Sequence, residues 1–304
     1  MNVLITGANG FIGSHLKDAV VEMGYNVILL SRAFDSKKIN NYTYEEFFSL
    51  KLDLKIDCVL HLASPNYDYA KDNSLKDGIT NLTDKILSAL PYYSCKKIIY
   101  FSSAKVYGEP SLKEGIYSED SKLNPLSDYA EEKVAAENLV LIRSENYNLD
   151  YIIYRMPLVF GPSMNSNVGK LFKLLNNGLP LPSFKSTSHL RKSFLSIDNI
   201  KTCIQFNLNN MDSINRNIFN ICDNNDLAFD EFVHNYKVIS KSSSYIINLP
   251  SIFFKIFTKL PIFNRILIKL YGNFHISNNK VQVAYNIKLK DTQEGLSSLL
   301  TKKL

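Results

Sequence analysis

Tyr129 and Lys133 stand four residues apart in Tyr129-Ala130-Glu131-Glu132-Lys133. On a helix that spacing puts both side chains on one face, one turn removed, so an ammonium sits near a phenol. A neighbouring positive charge favours the phenolate, which would bring the phenol pKa towards a working range for proton transfer. The same spacing alone also fits an ordinary surface helix. A second chemistry-bearing stretch, Ser102-Ser103-Ala104-Lys105-Val106-Tyr107-Gly108, follows the apolar run Lys97-Ile98-Ile99-Tyr100-Phe101. That places it at the C-terminal end of a buried strand, where ligands collect in open parallel sheets.

A third stretch lies at the start of the chain. Val3-Leu4-Ile5 is a short apolar run without helical spacing, and it breaks into Gly7-Ala8-Asn9-Gly10-Phe11-Ile12-Gly13 before a helical segment from Ser14 to Met23. Gly7 permits the tight turn, Gly10 lets the backbone approach a pyrophosphate, and Gly13 lets the helix lie close on the strand. The helix N-terminus adds N–H donors for the anion. The next strand, Asn26 to Leu30, ends at Ser31-Arg32, where an adenosine ribose would lie. A hydroxyl and a guanidinium there suit a 2′-phosphate, which favours NADP(H). Read instead as a solvated surface arginine, Arg32 leaves NAD(H) possible.

The elements that must position these groups alternate. A short helix is expected around Tyr44 to Leu50, after a short third strand. A strand follows over Asp57 to Ser64, with His61 packed in it, and then a helix from Asp77 to Leu90 stopped by Pro91. Tyr151 to Arg155 is a strand, Asn167 to Asn177 a helix, Asn217 to Cys222 a strand and Phe229 to Tyr236 a helix. The expected fold class is α/β: a Rossmann-type doubly wound parallel sheet with a smaller C-terminal α/β domain. The 304 residues could hold one large domain or two smaller ones.

Composition sets limits. The chain has 304 residues, 45% hydrophobic and 21% charged, enough for a large core. The net charge of +6 is spread without a long basic run, so nucleic acid is not indicated. Cys58, Cys95, Cys203 and Cys222 lie far apart without a CxxC pair, and the histidines are scattered, so buried thiols and no metal are expected. The first residues lack the features of a signal peptide, and the cytoplasm is the expected location.

TGANGFIGSHL, SSAKVYG and YAEEKVAAE together resemble the extended short-chain dehydrogenase/reductase family of sugar-nucleotide epimerases, dehydratases and reductases. The resemblance implies that Ser103, Tyr129 and Lys133 are catalytic, Tyr129 as acid or base, Ser103 bonding the reacting oxygen, and Lys133 tuning Tyr129 and holding a ribose. It implies cofactor contacts at Gly7, Gly10, Phe11, Ile12 and Gly13, at Ser31 and Arg32, at Leu62 and Ala63, and at Tyr129 and Lys133. Pro157, in a turn similar to the family's RPxLVYGP, completes that set. The resemblance implies that the chain passes there from a dinucleotide-binding domain over 1–160, with a return segment around 190–222, to a substrate-binding domain over 161–304. For the nucleotide diphosphate it implies Asn167 and Arg191, with Lys269 in place of an arginine. The family's asparagine near the start of one helix has Ile79 here, with Asn81 two residues on. Its dehydratases carry Asp-Glu after the strand-end hydroxyl, and Ala104-Lys105 stand there instead, which disfavours dehydration.

NVGKLFKLLNNGLPLP and LRKSFLSIDNI look most like the UDP-linked 4-keto-6-deoxy-hexosamine 4-reductases of bacterial surface-polysaccharide pathways. The expected activity is therefore NAD(P)H-dependent reduction of a C4 keto group on a nucleotide sugar. The alternatives are a UDP-hexose 4-epimerase with tightly bound NAD and a non-catalytic dinucleotide-binding protein. Family members often pair through four helices, and 78–90 and 128–146 are the candidates for a homodimer. Residues Tyr245 to Tyr271 are unusually apolar, but Lys255, Lys259, Arg265, Lys269, Pro250 and Pro261 interrupt them below the ~20 residues of a membrane span. Two amphipathic helices closing the substrate domain are expected, with a peripheral membrane surface as the alternative.

Overall fold

The computed structural model describes residues 1–32, 40–49, 52–64, 78–164 and 167–301. Leu50 and Asp77, the expected ends of two helices, lie outside them. The chain forms two compact units, the first of 1–106, 123–155 and 201–219 and the second of 107–122, 156–200 and 220–304.

The first unit is built on seven strands: β1 (Asn2–Thr6), β2 (Asn26–Ser31), β3 (Asn41–Thr43), β4 (Cys58–His61), β5 (Lys97–Ser103), β6 (Asp150–Met156) and β7 (Asn217–Asn220). Their order across the sheet is β7-β6-β5-β4-β1-β2-β3. β1 pairs in parallel with β2 and β4, β2 with β3, and β4 with β5. The chain thus winds one way from β1 and the other way from β4, and the order reverses between those two strands. This is the doubly wound parallel arrangement. Its central strands read as continuous apolar runs because both faces are covered: Val3, Leu4, Ile5, Val59, Leu60, Ile98 and Ile99 are all fully buried.

The helices of this unit are α1 (Phe11–Glu22), α2 (Tyr44–Ser49), α3 (Ile79–Ala89) and α4 (Asp128–Asn146). α3 buries Ile79, Thr83, Ile86 and Leu87 at helical spacing, against a core that includes Tyr100, Ala136, Val140 and Ile153. Ser127 caps α4, accepting the Ala130 N–H at 3.3 Å. The first turn of α3 has no side chain at its own cap, Gly78. The carboxylate of Glu132 on α4 accepts the Thr80 N–H at 2.9 Å instead. A Cβ at Gly78 would come within 2.5 Å of that carboxylate, which would have to move aside. Asp84 and Arg143 add a 2.8 Å ion pair between the same helices.

The second unit is held by an aromatic core. The rings of Phe194 and Phe232 stack at 3.9 Å and those of Phe172 and Tyr236 at 3.6 Å. Three short parallel pairs frame it: Leu158–Phe160 with Phe194–Ser196, Leu181–Phe184 with Ile246–Leu249, and Ile116–Tyr117 with His275–Ile276. The last pair shows that 107–122, inside the range expected for the first domain, belongs to the second unit. Two amphipathic helices, Ser251–Phe257 and Pro261–Tyr271, lie within 245–271. Among the described residues no helix is long and apolar enough to cross a membrane.

Candidate active site

The glycine turn sits at the C-terminal end of β1, beside the point where the strand order reverses. Gly7 adopts φ +68°, and a Cβ there would press to 3.0 Å on the Ala63 backbone at the end of β4. A Cβ on Gly13 would collide with the Gly7 carbonyl. No side chain caps α1, and its first-turn N–H groups, at Phe11, Ile12 and Gly13, have no carbonyl one turn back to bond. This cradle fits a dinucleotide pyrophosphate. Asn9 in the turn donates to the Ser31 hydroxyl at 3.0 Å, so Ser31, buried at the end of β2, fixes the loop, while Arg32 next to it is exposed. Tyr44, which the sequence did not single out, accepts the Gly7 N–H at 3.2 Å. Burial raises its phenol to about 12.

Beyond the end of β4, Leu62 is half-buried and Ala63 buried, and a chain of neutral groups holds them. Thr83 gives its hydroxyl proton to the Ile79 carbonyl at 2.7 Å, so it accepts from His61 Nε2 at 3.1 Å. His61 Nδ1 then accepts the Thr6 hydroxyl at 2.7 Å, and the Thr6 oxygen receives the Ala63 N–H at 3.1 Å. Burial, aided by the charge of Lys133, pushes the imidazole down to about 3. His61 is therefore a packed, neutral strut.

β5 and α4 bring Ser103, Tyr129 and Lys133 together. Ser103 lies near enough to the Tyr129 phenol to act on it, and accepts the Lys105 N–H at 3.3 Å. Lys133 is buried, donates to the Phe101 carbonyl at 2.8 Å, and lies 5.9 Å from the Tyr129 ring centre and 4.9 Å from that of Tyr100. The expected lowering of the phenol pKa is not found. Its own burial raises Tyr129, with Ser103 acting against it, and Lys133 is itself desolvated and held down to about 7. One turn beyond Lys133, Glu137 is buried with Arg155 of β6 and accepts the Ser102 hydroxyl. The signal for Glu137 was present, since it continues the four-residue spacing of Tyr129 and Lys133.

The residues expected to bind substrate phosphates lie in the second unit. Asn167 is the first residue of the helix Asn167–Asn176. Arg191 is half-exposed and pairs with Glu231 at 2.6 Å. Lys269 is exposed, and its carbonyl accepts from the buried Lys192 at 3.0 Å. Lys192 was not singled out by sequence; its Nζ also reaches the Gly272 carbonyl at 3.1 Å, and burial lowers it to about 8. Pro157 follows β6, and Ile79 is buried at the start of α3, with Asn81 half-buried.

The NAD dependent epimerase/dehydratase family matches residues 3–222 of this chain. A putative UDP-glucose 4-epimerase of Methanocaldococcus jannaschii is 32% identical over 199 residues, 59% of this chain and 65% of that protein. A UDP-glucose 4-epimerase of Vibrio cholerae is 25% identical over 312 residues, 97% and 93% of the two chains. The crystal structure of the UDP-glucuronic acid 4-epimerase of Bacillus cereus, in complex with UDP-glucuronic acid and NAD, superposes with a TM-score of 0.74. It covers 99% of this chain and 98% of its own at 22% identity, a likeness of fold.

Proposed function

Because the chain belongs to the NAD dependent epimerase/dehydratase family, we propose that it is a 4-epimerase of a UDP-linked hexose or N-acetylhexosamine working with NAD. The observation that carries this reading is the convergence of the half-buried Ser103 and Tyr129 with the buried Lys133, beside a glycine cradle that fits a dinucleotide. What supports epimerase over the reductase expected from sequence is the pair of 4-epimerases among its relatives, one of them alike over nearly the whole chain. The closeness to 4-reductases has no such support.

Tyr129 takes the proton of the C4 hydroxyl as the C4–H bond breaks, and returns it to the C4 oxygen when that bond re-forms on the other face. The dinucleotide, when bound, supplies the acceptor and donor of that hydride. Ser103 would hydrogen-bond the same oxygen, and Lys133, one turn from Tyr129, would bond ribose hydroxyls. Since proton and hydride both return, no net redox change results. Asn167, Arg191 and Lys269 are proposed to hold the nucleotide diphosphate, with Arg191 presented by Glu231. Pairing of two copies through α3 and α4 is proposed alongside.

The exposed Arg32 after Ser31 favours a second reading, an NADPH-dependent 4-ketoreductase. One experiment separates the two: the cofactor carried through purification is identified, and UDP-glucose, UDP-galactose and their N-acetyl counterparts are offered. Retained NAD with interconversion of epimers supports the proposal. An empty site preferring NADPH, with one NADPH consumed per 4-keto sugar nucleotide, overturns it in favour of the reductase.

A further inference from the structure

Residues 251–270 consist of two ten-residue segments identical at five positions. Ser251-Ile252-Phe253-Phe254-Lys255-Ile256-Phe257-Thr258-Lys259-Leu260 aligns without a gap on Pro261-Ile262-Phe263-Asn264-Arg265-Ile266-Leu267-Ile268-Lys269-Leu270. Ile252, Phe253, Ile256, Lys259 and Leu260 recur as Ile262, Phe263, Ile266, Lys269 and Leu270, and Lys255 is answered by Arg265. Every one of these matched side chains is exposed in both copies, the apolar ones by 36% at Leu270 up to 75% at Ile262. The covered positions, Phe254 and Asn264, Phe257 and Leu267, Thr258 and Ile268, differ between the copies. Packing constrains buried positions first. Here the duplicated feature is the solvent face.

On the second helix, Ile262, Ile266 and Leu270 stand four residues apart in one stripe with Phe263 beside it. Arg265 and Lys269 run one turn apart along its edge. The first helix repeats this with Ile252, Phe253, Ile256 and Lys255. Phe257 stacks on Phe263 at 5.7 Å and joins the two into one surface. The opposite sides are anchored: Phe254 and Tyr271 pack on the ring of Phe184 at 5.1 and 5.2 Å, and Leu267 is buried. No Asp or Glu occurs from Phe232 to Lys290, a stretch with nine Lys and Arg.

We propose that this duplicated face docks on a bilayer surface containing anionic lipids. Its isoleucines, phenylalanines and leucines enter the boundary between headgroups and acyl chains, and Lys255, Lys259 and Arg265 meet the lipid phosphates. Charge selects this occupant over a second copy of the chain. Two such faces laid together would oppose Lys255, Lys259 and Arg265 with the same three cations, and the stretch 232–290 brings no carboxylate between them.

The test is flotation of the full chain with vesicles of phosphatidylcholine alone or mixed with phosphatidylglycerol. The chain should float with the mixed vesicles, not with phosphatidylcholine alone, and less as salt rises. The variant Ile262→Ser with Ile266→Ser and the variant Lys255→Glu, Lys259→Glu, Arg265→Glu should each lose binding about tenfold or more. Both alter only exposed side chains, so each should keep the wild-type unfolding midpoint. No flotation of the wild type with mixed vesicles overturns the proposal, as does undiminished flotation of the serine variant. A wild-type dimer that the serine variant dissociates, without lipid binding, overturns it in favour of the second copy.

Discussion

Arg155 holds the carboxylate of Glu137 by Nε, at 3.1 Å from both oxygens, and by Nη2 at 2.7 Å, with both side chains buried. The pair locks β6 to α4 one turn from Lys133, so the helix face that carries Tyr129 and Lys133 is set by a buried ion pair. Removing one partner strands the other charge in a dry interior.

Arg155→Met and Glu137→Gln should therefore each destabilise the protein by about 3–5 kcal/mol. Replacing both at once, Arg155→Met with Glu137→Leu, should recover most of that loss. Denaturant midpoints of the three variants decide it. A cost below about 1 kcal/mol for Arg155→Met would show that the fork contributes little.

Tyr129→Phe should leave the fold and the dinucleotide intact and lower turnover by about 10²–10⁴, the contribution of a positioned proton donor and acceptor. Single-turnover measurement of the C4 hydride step isolates the effect. Ser103→Ala should cost less, because it removes one hydrogen bond to the same oxygen and leaves the proton path in place.

The glycine turn and the Tyr129–Lys133 spacing were legible because a tight turn and a helix period each leave a short local pattern. The parallel sheet was legible for the same reason, since strands covered on both faces read as unbroken apolar runs. Contacts between distant segments left no such trace. Thr6, His61 and Thr83 meet only through the register of β1 on β4 and the seat of α3. Tyr44 reaches Gly7 from a segment with weak pattern, and 107–122 crosses to the second unit by pairing with His275–Ile276. Spacing also misjudged the Tyr129 phenol. It places a lysine near the ring and says nothing of the desolvation that weakens that lysine's charge.

Lys133, held down to about 7 by burial against an ordinary value of 10.5, releases its proton in the folded state before the unfolded one does. Between these values the unfolded chain binds more protons, so stability should rise with pH, by an amount of order 5 kcal/mol over the window. Lys192 acts in the same direction from about 8. Unfolding free energies of the wild type and Lys133→Met at neutral pH and near pH 10 should differ most at neutral pH, with Lys133→Met the more stable there. Parallel curves for the two proteins would show that the Lys133 ammonium is not disfavoured by its surroundings.

His61 works at the other end of the scale. Its imidazole stays neutral in the fold down to about 3, against an ordinary value of 6.5. Below the ordinary value the unfolded chain takes up a proton that the folded chain refuses, so stability is full above pH 6.5 and falls as pH drops towards 3. The cause is geometric as well as dielectric: Nδ1 accepts from Thr6 and Nε2 donates to Thr83, whose proton is committed to the Ile79 carbonyl. A second ring proton would face a donor. His61→Gln should lose part of the strut and be less stable at neutral pH, yet flatten the acid slope. Urea midpoints of both proteins between pH 4 and 7 measure it, and equal slopes would mean that other groups govern the acid limb.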